Sequence, residues 1–170
     1  CERDARQLGK ALAGPRANLA TLAEYEEPDG PQAPTAQNVR RELAVLAKSA
    51  PPKSLAVVCV SGLGGSTAAK GDFYAPVGAK LLLTDARAIT AAEVGTALAA
   101  TRARVKLVVW DVSRDPLHLE RVEDEVAGAD HPWRGLKGHV VFYACKAGAQ
   151  AHSDDDRGGY LSHVVAAALT

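Results

Sequence analysis

The sequence predicts an α/β fold built on a mainly parallel sheet, and two observations carry that prediction. The run Leu55 to Val60 is continuously apolar, and the runs Val105 to Trp110 and His139 to Ala144 are apolar apart from Lys106 and His139, as expected of strands that are covered on both faces. Segments with the helical spacing of apolar residues lie between and around these runs. This alternation is typical of helices packed on a parallel sheet.

Several of the predicted helices begin or end at residues that favour a helix boundary. Thr35 and Thr90 are predicted N-cap residues, and Glu93 completes a capping box with Thr90. Pro51 ends the helix that begins behind Thr35. The full set is Glu2 to Ala13, Thr35 to Pro51, Thr90 to Thr101, Leu117 to Ala127 and Tyr160 to Leu169.

Shorter segments connect these elements. Ala17 to Ala23 and Lys80 to Thr84 are predicted strands, and Ser61 to Gly65 is a predicted glycine-rich turn. Glu24 to Pro34 is rich in proline and acidic residues, and Ser153 to Arg157 contains three successive aspartates. Both are therefore predicted to be loops, the second of them solvated.

The composition fits one domain over residues 1–170. Lysine plus arginine and aspartate plus glutamate each total 20, which leaves a formal net charge of +0. That balance argues against a nucleic-acid binder with a broad basic surface. Hydrophobic residues make up 47%, enough for a core, but no run approaches the roughly 20 apolar residues of a membrane helix. We expect neither nucleic acid nor a membrane as a partner.

The cysteine and methionine counts indicate the cellular compartment of the protein and whether this chain is part of a longer polypeptide. Three cysteines are an odd and low number, which argues against a disulfide framework and favours a reducing, intracellular and cytoplasmic setting. The charged stretch from Cys1 to Lys10 is unlike a signal peptide. The chain has 0 methionines, so we expect it to be part of a longer polypeptide.

The candidate site lies where two predicted strands end, because ligands and catalytic groups of parallel sheets gather at the carboxyl ends of the strands. One end carries the run Ser-Gly-Leu-Gly from Ser61 to Gly64, and the other the run Asp-Val-Ser-Arg-Asp from Asp111 to Asp115. The longer run from Ser61 to Thr67 also permits interpretation as a phosphate cradle, but it lacks the glycine–lysine–serine/threonine end of a P-loop.

In these two runs the sequence resembles the caspase-like cysteine peptidases, most closely metacaspases and their bacterial relatives. In that family one strand ends in Ser-Gly-His-Gly and supplies the catalytic histidine, and a later strand ends in Asp-Ala-Cys-His-Ser-Gly and supplies the nucleophile. The histidine position is Leu63 here, and the cysteine position is Ser113. The resemblance implies a three-layer sandwich, with helices on both faces of a mainly parallel sheet.

Weaker similarities follow the family's order along nearly the whole chain. They are Asp4-Ala5 with Leu8 and Leu12, Pro34-Thr35 with Asn38-Val39, Leu82 to Asp85, Val140 to Cys145 with Gln150-Ala151, and Gly158 to Ser162. The family's first, central strand precedes the helix that begins near Cys1 in this numbering. The resemblance therefore implies a sheet with open backbone edges, which another segment of a longer chain or a partner protein completes.

The two replacements predict a catalytically inactive domain. Leucine has no proton chemistry, and a serine hydroxyl is a poor nucleophile until a base removes its proton. We expect no catalytic residue, metal or cofactor, and a structural or protein-interaction role within a larger protein or complex. The resemblance implies that Gly64 and Ser113 keep a vestigial oxyanion hole, and that Asp111 and Asp85 keep a vestigial pocket for a basic residue.

Other roles stay open for the same residues. Ser113 can serve as the nucleophile of a hydrolase if a base such as His152 lies beside it. The acidic pocket can bind peptides with basic residues, or Arg114 or Arg87 can fill it from within. A surface or packing role is the alternative for each of the five histidines. These are His118, His131, His139, His152 and His163.

The remaining reactive residues have plainer interpretations. Cys59 is predicted to be a small buried hydrophobe. Cys145 with His152 lacks the spaced pairs of a metal site, and the acidic run from Asp154 to Asp156 lacks the rest of a calcium loop. The two tryptophans, Trp110 and Trp133, are predicted to pack in the core.

Overall fold

The computed structural model describes residues 2–15, 17–23, 27, 29–67, 71–79, 86–115, 132–133, 135–154 and 158–170. The elements, in order, are α1 (Glu2–Leu12), α2 (Ala36–Ser49), β1 (Leu55–Gly62), β2 (Gly64–Thr67), β3 (Gly71–Tyr74), β4 (Ile89–Thr90), α3 (Ala91–Ala100), β5 (Val105–Val112), β6 (His139–Tyr143), β7 (Ser153–Asp154), β8 (Gly158–Gly159) and α4 (Tyr160–Leu169). None of the helices in these ranges is long and apolar enough to cross a membrane. The predicted segments Lys80 to Thr84 and Leu117 to Ala127 lie outside the described residues.

The helix boundaries follow from the capping residues. The Thr35 side chain accepts a hydrogen bond from the Asn38 amide at the start of α2. At the start of α3, Thr90 and Glu93 form the reciprocal capping box that the sequence predicts. These local signals are confirmed because they depend on residues only three positions apart.

The central sheet is parallel and has three described strands in the order β1–β5–β6. Alternate residues of β5 point to opposite faces. Trp110 and Val112 are fully buried in a core shared with α2 and α3, whereas Asp111 contacts Ser162 of α4. Helix α4 packs in turn against α1. The mainly parallel sheet with helices on both faces is therefore confirmed.

The glycine-rich turn predicted from Ser61 to Gly65 is wrong. Strand β1 runs on through Gly62, and β2 begins at Gly64 and pairs antiparallel with β3. A Cβ on Gly64 would overlap the Phe73 carbonyl and the Val112 side chain. The glycine is therefore a site of close packing between neighbouring segments rather than of chain reversal.

Two other short segments differ from their predictions. Ala17 to Ala23 forms no strand, because a strand needs a hydrogen-bonded neighbour and the described chain places none beside it. Ser153 and Asp154, predicted as part of a loop, form β7 and pair with β8. The remainder of that predicted loop, Asp155 to Arg157, lies outside the described residues.

The outer edge of β1 lines a cavity of about 250 Å³, which we call the β1 groove. Val57 to Ser61 of β1 form one side and Asn18 to Leu22 form the other. Helix α1 closes one face and helix α2 the opposite face. In the described part of the chain, β1 pairs with β5 alone, so the backbone groups on its outer edge face this groove.

Candidate functional site

The register of the sheet brings the two candidate strand ends together. Strands β1 and β5 are parallel, and Gly62 pairs with Val112 as the last pair of the ladder. The next residues along each strand are Leu63 and Ser113, so these two residues emerge from neighbouring strands at the carboxyl end of the sheet. This is the edge at which parallel sheets carry their chemistry.

Leu63 projects from the end of β1 and is 67% exposed. Its backbone carbonyl accepts a hydrogen bond from the Ala75 amide at 2.9 Å, which fixes the chain where β1 passes into β2. A leucine side chain can neither donate nor accept a proton. The position adjacent to Ser113 therefore contributes an apolar surface and no base.

The Ser113 hydroxyl is held by the loop that follows β6. Its Oγ accepts a hydrogen bond from the Ala151 amide at 3.1 Å. Two backbone hydrogen bonds also join the residues after β5 to the loop after β6. The Arg114 amide donates to the Ala149 carbonyl at 2.9 Å, and the Gly148 amide donates to the Arg114 carbonyl at 3.0 Å. Ser113 thus helps to tie two loops together.

Among the described residues, no hydrogen bond joins a histidine ring to Ser113. His152 is exposed, and its backbone carbonyl accepts a hydrogen bond from the Tyr160 amide. The His139 ring lies against the Leu136 carbonyl, and His163 lies within α4. The other two histidines, His118 and His131, are outside the described residues.

The Asp111 carboxylate is buried, with 4% exposure, and it holds the start of α4. It accepts hydrogen bonds from the Ser162 amide at 2.9 Å and from the Ser162 hydroxyl at 2.6 Å. A negative charge at a helix N-terminus is favourable because the unpaired amides there carry a partial positive charge. Asp85, the other predicted pocket residue, lies outside the described residues.

Arg114 does not fill the pocket at Asp111, one of the two arrangements considered above. Its Nε donates to Asp72 Oδ2 at 2.9 Å, and its guanidinium lies 4.1 Å from the centre of the Tyr143 ring. The sequence did not point to this cluster, because Asp72 belongs to β3, for which no element was predicted. Opposite charges 42 residues apart give no local signal.

A second buried carboxylate, Asp4 of α1, lies at the same end of the sheet and is 1% exposed. Asp4 Oδ2 accepts from the Ser61 hydroxyl at 2.6 Å, and Asp4 Oδ1 accepts from the Gly159 amide at 2.9 Å. Burial alone raises the pKa of Asp4, but these hydrogen bonds, led by that from Ser61, hold it below the ordinary value. Sequence reasoning noted Asp4 only as part of a family-like helix.

We call Asp4 and Asp111, with Gly158 and Gly159, the carboxylate clamp. A Cβ on Gly158 would overlap the Asp4 carboxylate, and a Cβ on Gly159 would overlap that of Asp111. Gly158 also has φ +79, a backbone conformation that favours glycine. The clamp thus joins α1, β1, β5 and α4 at the end of the sheet that carries Leu63 and Ser113.

The chain matches the model of one known protein family. The family model of the caspase domain matches residues 1–170. The chain belongs to the caspase-domain family. A search of curated proteins finds no match to it.

The two described cysteines of this caspase domain, Cys59 and Cys145, are not poised as nucleophiles. Burial raises the pKa of the Cys59 thiol to about 12. Burial also raises the pKa of Cys145, against a smaller opposing effect of the Arg114 amide and charge. The Cys145 thiol donates to the Ala149 carbonyl at 3.1 Å. Both thiols are therefore protonated at neutral pH, and a protonated thiol is a weak nucleophile.

Within the described ranges, no three His, Cys, Asp or Glu side chains are grouped to hold a metal ion. Trp110 and Trp133 are both buried, with ring centres 6.4 Å apart in an edge-to-face arrangement. Trp133 Nε1 donates to the Tyr143 hydroxyl at 2.6 Å, so the predicted packing role of the tryptophans is confirmed.

Proposed function

We propose that this caspase domain is catalytically inactive and serves as a structural or protein-interaction module within a larger protein or complex. The observation that carries the proposal is the pair Leu63 and Ser113 on neighbouring strand ends. Cysteine peptidases of this kind need a nucleophile beside a general base. In this chain the first position has no base, and the second has a hydroxyl instead of a thiol.

The surroundings of Ser113 support the same proposal. Its Oγ accepts the Ala151 amide, and within the described chain no side-chain base makes a hydrogen bond to it. The absence of a positioned general base alone costs typically about 10²–10⁴-fold in rate. The nearby Cys145 thiol, with its raised pKa, offers no substitute nucleophile.

We expect no peptidase turnover above that of the Ser113→Ala variant. The measurement uses fluorogenic peptides that end in arginine, lysine or aspartate, with and without calcium. The Ser113→Ala variant is the matched control, because it removes the hydroxyl and leaves the two-loop backbone bonds in place. Turnover that is lost in this variant would contradict the proposal and identify a serine-dependent hydrolase.

We expect the double variant Leu63→His/Ser113→Cys to hold a reactive thiol, because the register places the two side chains on adjacent strand ends. A protonated imidazole beside a thiol lowers the thiol pKa, commonly into the range of about 3.5–7.5. The measurement is the pH dependence of iodoacetamide alkylation at position 113, followed by peptide mass spectrometry.

The single variant Ser113→Cys is the control for this prediction, and its alkylation should follow an ordinary thiol with a pKa of about 8.5. Cys59 and Cys145 are internal references on the same chain. Identical alkylation profiles for the single and double variants would show that position 63 does not reach position 113.

Two alternative functions can be tested with the same chain. A hydrolase that uses Ser113 with His152 is supported only by the contact of Ser113 with Ala151, the residue next to His152. A module that binds basic peptides would use Asp111, yet that carboxylate is buried and already bonded to Ser162. Calorimetry with arginine- and lysine-containing peptides tests the second alternative, and we expect no heat of binding at millimolar peptide.

The proposal also covers the binding partners of the domain and its location in the cell. We propose that other segments of a longer polypeptide, or other proteins of a complex, complete the sheet, and the open edge of β1 supports this part. The low number of cysteines supports an intracellular, cytoplasmic location.

A further inference from the structure

A surface of exposed cations lies in front of β1, β5 and β6, at the opposite end of the sheet from the candidate site. We call it the basic edge, and its residues are Lys53, Arg102, Arg104 and Lys137. Backbone hydrogen bonds hold these segments side by side. The Arg104 amide donates to the Ser54 carbonyl at 3.0 Å, and the Lys106 amide donates to the Gly138 carbonyl at 2.9 Å.

The cations of the basic edge have no anionic partner within the described part of the chain. Ion pairs there join other arginines, such as Arg40 and Arg114, to carboxylates, and none includes a residue of the basic edge. The segments that form and flank the edge are 46–56, 99–107 and 135–140, and they contain no aspartate or glutamate. Positive charge is therefore concentrated here, although the formal net charge of the chain is +0.

A buried lysine adds to this uncompensated charge. Lys106, the second residue of β5, is 8% exposed. Its Nζ donates to the Ala103 carbonyl at 2.8 Å and to the Lys137 carbonyl at 3.4 Å, and it makes no ion pair with the described residues. A buried ammonium group is costly unless an opposite charge lies close to it. Lys106 thus independently indicates that an anion at this end of the sheet is favourable.

The backbone of Lys53 is unfavourable for a lysine. Its φ is 67°, in the left-handed region that favours glycine. Every other described residue with a φ in this region is a glycine, including Gly135 and Gly138 in front of β6. A backbone conformation that does not suit its residue is a reason to look for a function of the side chain.

Helix ends account for only part of the basic edge. Helix α3 ends just before Arg102, and a cation at that position offsets the partial negative charge of a helix C-terminus. Arg104 and Lys137 instead lie in front of β5 and β6. Their charges therefore require a different explanation.

The neighbours of these cations favour a polypeptide as the anion. Val105 follows Arg104 and is 45% exposed, and it begins β5, the middle strand of the described sheet. An acidic polypeptide can place carboxylates on the cations and an apolar side chain on Val105. Surfaces that bind single-stranded nucleic acid or membranes commonly add aromatic side chains, and the three segments of the basic edge contain none.

We propose that the basic edge binds an acidic segment of a partner protein, with aspartate or glutamate side chains on Lys53, Arg104 and Lys137 and an apolar side chain on Val105. The starts of three neighbouring strands span about 10 Å at ~4.8 Å between strands. The long cationic side chains extend this reach, so a segment of about eight residues covers the edge.

This inference rests on the proposed function, because it assigns a partner class to the interaction module. The two fail in different experiments. Peptidase turnover would contradict the proposed function and leave this binding unaffected, whereas absence of binding would leave the inactivity of the domain unaffected.

The test uses a fluorescently labelled peptide of about eight residues in which glutamate alternates with leucine. Fluorescence anisotropy measures its binding to the 170-residue chain. The matched control peptide has glutamine at every glutamate position, which removes the charge and keeps the side-chain length. We expect the glutamine peptide to bind at least about tenfold more weakly, and we expect added salt to weaken binding of the glutamate peptide.

Two matched variants locate the site on the protein. Lys137 precedes β6 and Lys146 follows it, so the two exposed lysines lie at opposite ends of one strand. We expect Lys137→Glu to weaken binding of the glutamate peptide about tenfold and Lys146→Glu to leave it unchanged. Far-ultraviolet circular dichroism checks that both variants are folded.

A third variant separates binding from folding. Lys53→Gly removes a charge and places a glycine where the φ of 67° suits it. We expect this variant to bind the glutamate peptide about threefold more weakly without a lower free energy of unfolding in urea. A lysine with only a structural role would show the reverse, with lower stability and unchanged binding.

Several results would overturn the inference. They are equal binding of the two peptides, equal effects of the Lys137→Glu and Lys146→Glu variants, or no binding at millimolar peptide. Tighter binding of duplex DNA or of phosphatidylserine vesicles than of the glutamate peptide would assign the basic edge to a nucleic acid or to a membrane. Self-association that Lys137→Glu abolishes would assign it to a second copy of the chain.

Discussion

Replacement of Gly159 by alanine is expected to lower the free energy of unfolding by about 3 kcal/mol. The new Cβ would overlap the Asp111 carboxylate, which cannot move aside without breaking its two hydrogen bonds to Ser162. Burial of Asp111 leaves water no access to replace those bonds. Urea unfolding, followed by far-ultraviolet circular dichroism, measures the effect.

A double-mutant cycle separates this overlap from a general effect of alanine. In an Asp111→Ala background the carboxylate is absent, so Gly159→Ala should cost much less than it does alone. Gly14→Ala is the control for glycine replacement, because nothing lies within 4 Å of its Cβ position. If the losses of unfolding free energy in the two single variants add up to the loss in the double variant, overlap with Asp111 is not the reason that alanine at position 159 is destabilising.

The second large effect concerns Asp4. The Asp4→Ala variant is expected to lose about 3 kcal/mol, because the Ser61 hydroxyl and the Gly159 amide lose their buried acceptor. Ser54→Ala is a control, because it also removes a hydrogen-bonding side chain, but one whose bond to the Pro51 carbonyl is exposed. Both variants are compared by urea unfolding under the same conditions.

The pKa of Asp4 gives this prediction a pH dependence. Its folded-state pKa lies below the ordinary value of 3.8, so its contribution is present in full above that value and is lost as pH falls through the folded-state pKa. We therefore expect the stability difference between the wild-type chain and Asp4→Ala to shrink below about pH 4. A difference that stays constant as the pH falls from neutral into that range would show that the carboxylate charge is not what stabilises the clamp.

Local signals predicted much of the fold. The caps at Thr35 and Thr90 fixed the start of two helices because a cap and its partner are three residues apart. The mainly apolar runs identified β1, β5 and β6 because strands in the middle of a parallel sheet have few polar positions. Both signals are contained in one short stretch of sequence.

Features that depend on distant partners were not predictable in the same way. Asp111 was expected to line a pocket, but its role depends on Ser162, which lies 51 residues away. The β2–β3 hairpin was missed because its glycines resemble those of a turn, whereas Gly64 is required by the approach of Phe73 and Val112. In each case the sequence indicates that the residue is unusual, but it does not show which distant residue lies beside it in the fold.

The hydrogen bond between the Gly159 amide and Asp4 closes a loop of 155 residues. Contacts of such long range slow folding, because the entropy of closing the chain is lost before the contact forms. During synthesis α1 leaves the ribosome long before α4, so the Asp4 carboxylate cannot bind the Gly159 amide until the chain has been extended by a further 155 residues. A nascent chain stalled before Gly158 should therefore be sensitive to protease, and it should become resistant only once α4 has emerged.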